Sequence, residues 1–567
     1  MQAHGGAVRV CPFSGQGGAG PEQAQQPPAN AAATPAGFRH FLGAPTPAQR
    51  FQVDGEDPRL SATALATLRR RLRGVAILMG NRDEEWPDNP DLPAGYTYTL
   101  QFLAHDLVQS SLPVWASHGG GAEVENLRPR ALRLDTLYGS GPTGCPFPFA
   151  PDDPQDLSRS RFRMSRIGPF DPTTPAKDSD YRDIGRASTI GTSGGTDGFP
   201  EPLVADQRND SHSLISQVTS LFQLLHNALV ALQPEGNTAT IGHRIRGHNL
   251  RFAVARDATT LIWRHLVRQD ILPRILHPAV RELYAAGAAP LLETEAGPGI
   301  PLEFTHGAFR FGHAMARDSY HFGDADEPLP LGTTLRQSSG RSPDLMPIRR
   351  IWVAQWSRFF RLEGQQEPNL SKRIGPQMSG NFVTDGLFDP LAEGDPWGLA
   401  YRDLISAGLA GMHSVDSLCA RVLHLQPGLA QHSPMLADRA ARQQALIGWL
   451  GQRPRVSRLG AADIAALAVE PPLPFYVMFE AEREAEGRHL GVLGSLIVAE
   501  TLHGAMARDP LPAESGGGDL AAQLDRLCAE WLGAFRFRPL PDIRDMAGLV
   551  GFLARHYRLE QVDPPFI

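Results

Sequence analysis

Gln101 and His105 lie four residues apart in the apolar segment 96–107. Positions i and i+4 share one face of a helix. An amide and an imidazole are thereby aimed into the same space. There an imidazole can carry a proton, and an amide can orient a small ligand. Asp106 follows directly and points elsewhere, so its carboxylate suits a separate task such as holding a cation. Arg208 stands in the word VADQRND, residues 204–210, at the mouth of an amphipathic helix. Asp and Asn suit the cap of such a helix. His313 follows a glycine in GAFRFGHA, residues 307–314, with Arg310 three residues before it. Asp403 is a carboxylate inside the helical pattern LAYRDL, residues 399–404. A lone histidine in an apolar helix is more often a satisfied core residue than a reactive one. The joint pattern is what points to chemistry.

These residues need elements to hold them. Residues 60–79 carry apolar side chains at helical spacing, and Pro87, Pro90 and Pro93 then break the chain before a helix over 96–110. Residues 139–205 are dense in Pro, Gly, Asp and Ser and read as a long irregular connection. From 212 to 232 a wide apolar stripe includes Leu214, Ile215, Val218, Leu221, Phe222, Leu225 and Leu229. Further helices are predicted over 246–269, 278–286, 304–321, 399–410, 415–423, 437–451, 461–468, 491–507 and 520–532. Strand alternation is scarce. The fold class is mainly α, one large domain with long loops and little β. Residues 1–36, rich in Gly, Ala, Gln and Pro, read as a disordered tail, which leaves 37–567 as the catalytic domain.

Composition excludes several functions. Of 567 residues, 42% are hydrophobic and 20% charged, so the core is large enough to enclose a bulky cofactor. A net charge of −7 without a long basic run argues against nucleic acid as a partner. A membrane span needs about 18 or more apolar residues in succession. The longest candidate, 490–502, is shorter and contains Ser495 and Glu500. The N-terminus lacks the plan of a signal peptide, which predicts a cytoplasmic location. The four cysteines, Cys11, Cys145, Cys419 and Cys528, form no CxxC pair and suggest neither a disulfide framework nor a thiolate metal site.

Taken together, the words around Gln101, His105, Arg208, His313 and Asp403 resemble the animal-type haem peroxidase superfamily, most closely its bacterial members. Other stretches share the likeness: LDTLYGSGP at 134–142, LHN at 225–227, WSRFF at 356–360, and Phe475-Tyr476 with Glu480-Ala481-Glu482. They run in the family's order over residues 85–510. The resemblance implies a haem b cofactor with His313 as its axial iron ligand and Asp403 as the partner of that imidazole, where the family has Asn. It implies His105 as distal acid and base, Arg208 as stabiliser of charge during O–O cleavage, and Gln101 as orienter of a distal water or anion. Arg310 looks like the family arginine that pairs with a haem propionate.

The departures are also informative. The carboxylates that form haem esters in mammalian members align with Ala104 and Ser211, and a linking Met aligns with His212, so the haem should be held non-covalently. Residues 405–408, Ile-Ser-Ala-Gly, replace an Arg- and Gly-rich run. Calcium stays open. Asp106 is in place, but Arg133 stands where a ligating Asp is expected, with Asp135 two residues on. Asp106 would otherwise be a salt-bridge acceptor. The implied activity is reduction of hydrogen peroxide with oxidation of a small organic or halide donor. One alternative is a fatty-acid oxygenase of the same superfamily, which would carry a radical-forming Tyr where Arg310 stands; Tyr320 and Tyr401 are nearby aromatics. Another is a haem-binding protein with little turnover. The reducing substrate and the oligomeric state are not written in the sequence.

Overall fold

Three aromatic rings mark the centre of the molecule. Phe102 and Phe222 stack with ring centroids 5.0 Å apart, and Trp263 meets both edge-on at 5.5 and 5.1 Å. Edge-to-face contacts of this kind suit the aromatic quadrupole. They join three helices: α1 (Gly95–Leu107), α2 (Ser213–Leu232) and α3 (Ile241–Leu266). The structure is a computed structural model. It describes residues 37–567 apart from short internal stretches, the longest being 190–198, 286–298 and 339–347. The predicted tail, 1–36, lies outside the described residues.

α1 is buried on nearly every side, as a helix that is apolar all round must be. α2 is long and apolar enough to cross a membrane, a better match than the 490–502 stretch singled out from the sequence, yet 89% of its apolar window is enclosed by the protein. α3 begins at Ile241, earlier than its pattern suggested, because Thr240 Oγ1 accepts the N–H of His243 and caps it. Two more helices complete the site, α4 (Leu399–Leu409) and α5 (Leu473–Ala485). Strands are short and pair only in two-stranded ribbons among the described residues. Three of these ribbons fold much of the region read as irregular: Phe149–Ala150 with Arg161–Phe162, Met164–Arg166 with Tyr181–Ile184, and Arg186–Thr189 with Phe199–Pro202. The mainly α fold class holds.

One predicted element changes character. Residues 304–321 do not form a single α-helix. A π turn, Glu303–Gly307, leads into a 3-10 helix, Ala308–Met315, and the chain then turns extended at Ser319–Tyr320. Gly307 marks the break, with φ −117° and ψ −99°. A Cβ there would lie 2.4 Å from Leu473 Cδ2, so α5 presses directly on the backbone at this point.

Candidate active site

α1 carries Gln101 half-buried and His105 buried. A short 3-10 turn, Gln207–Asp210, brings Arg208 alongside. Asp206 caps this turn by accepting the Arg208 N–H at 3.0 Å. It also takes the Arg208 guanidinium as a fork, Nε to Oδ1 at 3.0 Å and Nη2 to Oδ2 at 2.7 Å. Arg128 donates to the same carboxylate. Both arginines then reach the His105 carbonyl oxygen, Arg128 Nε at 2.8 Å and Arg208 Nη2 at 3.2 Å. Burial pushes the Asp206 carboxyl up, but the hydrogen bonds and charge of Arg208 outweigh it and hold the group well below the usual carboxylate range. Arg208 is therefore a positioned cation, clamped to the backbone of His105. Its side chain remains 39% exposed.

The hydrogen bonds fix the His105 tautomer. Asn209 Nδ2 donates to the Thr136 carbonyl and hydroxyl, both at 3.1 Å. Its Oδ1 therefore faces His105 Nδ1, 2.9 Å away. An amide oxygen only accepts, so Nδ1 bears the proton and Nε2 keeps its lone pair. Burial first, and the charge of Arg208 second, push the His105 pKa down to about 4. The ring is neutral at neutral pH and presents a basic nitrogen. Gln101 is oriented by the same logic. His212 Nδ1 accepts the Ile215 N–H at 3.4 Å, so its Nε2–H donates to Gln101 Oε1 at 3.2 Å. The Gln101 amide thus turns its NH2 away from His212.

The 3-10 helix Ala308–Met315 packs against α1 and carries the second histidine. In a 3-10 helix residues i and i+3 eclipse one another. Arg310 and His313 stand in that relation, and both reach Asp403 on α4. His313 Nδ1 donates to Oδ2 at 2.6 Å, and Arg310 Nη1 donates to Oδ1 at 3.3 Å. The guanidinium is braced by a bond from Nε to the Thr305 carbonyl at 2.9 Å. Arg310, the residue proposed to meet a haem propionate, also engages this carboxylate, because the eclipsed spacing places it there. Asp403 is 2% exposed while His313 is 31% exposed. With Nδ1–H committed to Asp403, Nε2 is the His313 nitrogen left to meet a ligand. A Cβ at the adjoining Gly312 would meet nothing within 4 Å. An imidazole whose Nδ1–H is braced by a carboxylate, beside open space, has the donor set that suits an axial ligand of haem iron.

The remaining sequence candidates fall elsewhere. Asp106 is fully buried and takes the indole N–H of Trp263 on Oδ2 at 3.2 Å, a neutral partner rather than the expected salt bridge. Burial, and next the charge of Asp135, push its pKa up to about 6. Among the described residues no group of three or more His, Cys, Asp or Glu side chains is placed to hold a metal ion. Tyr320 and Tyr401 are both buried; Tyr320 accepts the Arg317 N–H at 2.8 Å and Tyr401 donates to Asp395 at 2.8 Å. Sequence reading missed Arg128, Asp206, Asn209 and Thr136 as members of the cluster around His105. Asp206 and Asn209 flank Arg208 and share its turn, so the word itself held a signal. Arg128 and Thr136 arrive through tertiary contacts and gave none.

Neither a family model nor a curated protein matches the chain by sequence. Solved structures do match. A fatty acid alpha-dioxygenase from Oryza sativa aligns with 86% of this chain and 79% of its own, at 12% identity and a TM-score of 0.52. A fatty acid alpha-dioxygenase from Arabidopsis thaliana covers 86% of this chain and 74% of its own, at 12% identity and a TM-score of 0.50. Peroxidase A from Dictyostelium discoideum covers 80% of this chain and 88% of its own, at 16% identity and a TM-score of 0.47. At these identities the likeness concerns the path of the chain, not its activity. The chain shares the mainly α fold of these fatty acid alpha-dioxygenases.

Proposed function

We propose that this protein is a haem-dependent peroxidase, which reduces hydrogen peroxide and oxidises a small organic or halide donor. The observation that carries the reading is the His105 tautomer: a neutral ring, basic at Nε2, with the Arg208 cation clamped beside it. Haem bound on His313 supplies the iron at which peroxide is reduced. His105 Nε2 takes a proton from peroxide and returns it to the departing oxygen, which leaves as water. Positioned proton transfer of this kind contributes about 10²–10⁴ in rate. Arg208 offsets the negative charge that develops as the O–O bond breaks. Gln101 offers its NH2 to a bound water, anion or donor. Asp403 holds the His313 Nδ1–H and, as a carboxylate, makes that imidazole a stronger donor than an amide partner would.

The haem is non-covalent in this reading, since Ala104 and Ser211 cannot form an ester. Acidified organic solvent should extract the pigment and leave a colourless polypeptide.

A second reading has its own support: the alpha-dioxygenases named above share the fold with TM-scores of 0.50 and 0.52. Against it stands Arg310, a guanidinium braced on Asp403 and Thr305 at the position where the oxygenases carry their radical-forming Tyr. Two assays separate the readings. Oxidation of a phenolic dye by hydrogen peroxide, with no oxygen uptake on oleate or linoleate, is expected. Peroxide-initiated oxygen consumption that yields a fatty-acid hydroperoxide would move the assignment to the oxygenase.

A further inference from the structure

The loop from Arg130 to Thr136 faces Asp106, and the family resemblance would put a calcium ion between them. Calcium takes roughly six to eight oxygen ligands. The oxygens present are engaged otherwise. Asp135 receives Arg130 on both atoms, Nη2 to Oδ1 at 2.6 Å and Nε to Oδ2 at 3.3 Å, and its side chain is 4% exposed. Asp106 Oδ2 holds the Trp263 indole N–H. The Leu132 carbonyl receives Arg264 Nε at 2.9 Å. The Thr136 carbonyl and hydroxyl are both held by Asn209, and the hydroxyl also donates to Asp206 at 3.2 Å. Arg133, in the place of a ligating carboxylate, turns outward and donates from Nε to Asp509 Oδ2 at 2.7 Å. Of the side-chain oxygens here, only Asp106 Oδ1 is left without a hydrogen-bond partner, and the Leu134 N–H also acts on that carboxylate. One such oxygen, in a loop ringed by guanidinium groups, does not make a site for a hard divalent cation.

We propose that Arg130 stands in for the calcium ion. Asp106 and Asp135 are close enough for the charge of one to act on the other. Two buried carboxylates side by side repel unless a cation offsets them. Arg130, whose side chain is 27% exposed, reaches in from the surface and supplies that charge through a two-point contact with Asp135, while the charge of the buried Arg128 acts on Asp106. Arg264, buried and tied to the Leu132 carbonyl, to the Asp509 carbonyl at 2.8 Å and to Glu514, holds the outer side of the loop. Leu132 and Leu134 adopt positive φ, 56° and 59°, so the loop conformation needs such holding. Arginine thus does in this chain what a divalent cation would do, and the loop under His105 keeps its shape without one.

The test uses the full purified chain and no haem readout, so its outcome is separable from that of the peroxidase reading. Elemental analysis should find no stoichiometric calcium, and the thermal midpoint should be the same in EGTA and in calcium chloride. Arg130→Ala should lower the midpoint by several degrees, because Asp135 is left unpaired beside Asp106. Adding Asp135→Asn to that variant should recover most of the loss, and Arg130→Lys should lose less than Arg130→Ala. If Arg130→Ala does not fold, the double variant and the lysine variant still decide the matter by folding or failing with it. One calcium per chain, a midpoint that falls in EGTA, or an Arg130→Ala protein as stable as the parent would each overturn the proposal.

Discussion

The account turns on which ring nitrogen holds a proton. Asn209 gives His105 a basic Nε2, and Asp403 takes the Nδ1–H of His313 and leaves Nε2 as the nitrogen proposed to ligate, from two hydrogen bonds of 2.9 and 2.6 Å. His105→Ala should retain haem but react with peroxide about 10²–10⁴-fold more slowly, as seen by stopped-flow absorbance. In the parent, that rate should be flat near neutrality and fall as pH drops through about 4, where the ring gains a proton and ceases to be a base. The same depression affects stability. The unfolded ring titrates near 6.5, so between that value and about 4 the unfolded chain binds more protons, and stability falls as pH falls through this window. Asp403→Asn should raise the ferric/ferrous midpoint potential in a redox titration, because an amide directs less negative charge at His313 than a carboxylate does. An unchanged or lower potential would show that Asp403 does not act on the haem iron through His313.

At the scale of elements, the break at Gly307 does the positioning. The 3-10 geometry of Ala308–Met315 is what lets Arg310 and His313 share one carboxylate, and Leu473 of α5 abuts the chain where that geometry begins. Gly→Ala in an ordinary helix stabilises. Here the sign should reverse. Gly307→Ala forces a Cβ to within 2.4 Å of Leu473 Cδ2, and overpacking of this kind costs about 1–3 kcal/mol. Urea denaturation should show the loss, and haem affinity should weaken with it. A Gly307→Ala protein of parental or greater stability would mean that α5 has room to retreat and does not set the geometry of the segment. This element also marks a limit of sequence reading. The words around His313 point to a helix, but nothing local reveals π and 3-10 turns that depend on a distant leucine. α5 itself was not predicted, because its first half, residues 473–479, is apolar at every position and its charged residues gather at the end, so no face repeats with a helical period. The ribbons within 139–205 were missed for a related reason: strands of two to four residues are too short to show alternation.

Over the whole molecule, what was legible was local in sequence or fixed in order. The Gln101–His105 spacing, the apolar stripe of α2 and the succession of family-like words predicted a mainly α fold with little β, and the chain has it. What brings the two halves of the site together was not legible. Arg128 lies 78 residues from Asp206, and Asp403 lies 90 residues from His313; no periodicity links them. They meet because α1, α2 and α3 close around the Phe102–Phe222–Trp263 cluster, and α1 packs on the segment that carries His313.

The central claim is that haem binds on His313 with His105 on the opposite face. The measurement that tests it most directly is the absorption spectrum of the purified, haem-supplied protein and of His313→Ala, before and after hydrogen peroxide. The parent should show one haem per chain, a Soret band of a histidine-ligated ferric haem and a rapid shift on adding peroxide, while His313→Ala should lose the haem or that band. A parent that takes up no haem, or a His313→Ala protein with an unaltered spectrum and an unaltered response to peroxide, would contradict it.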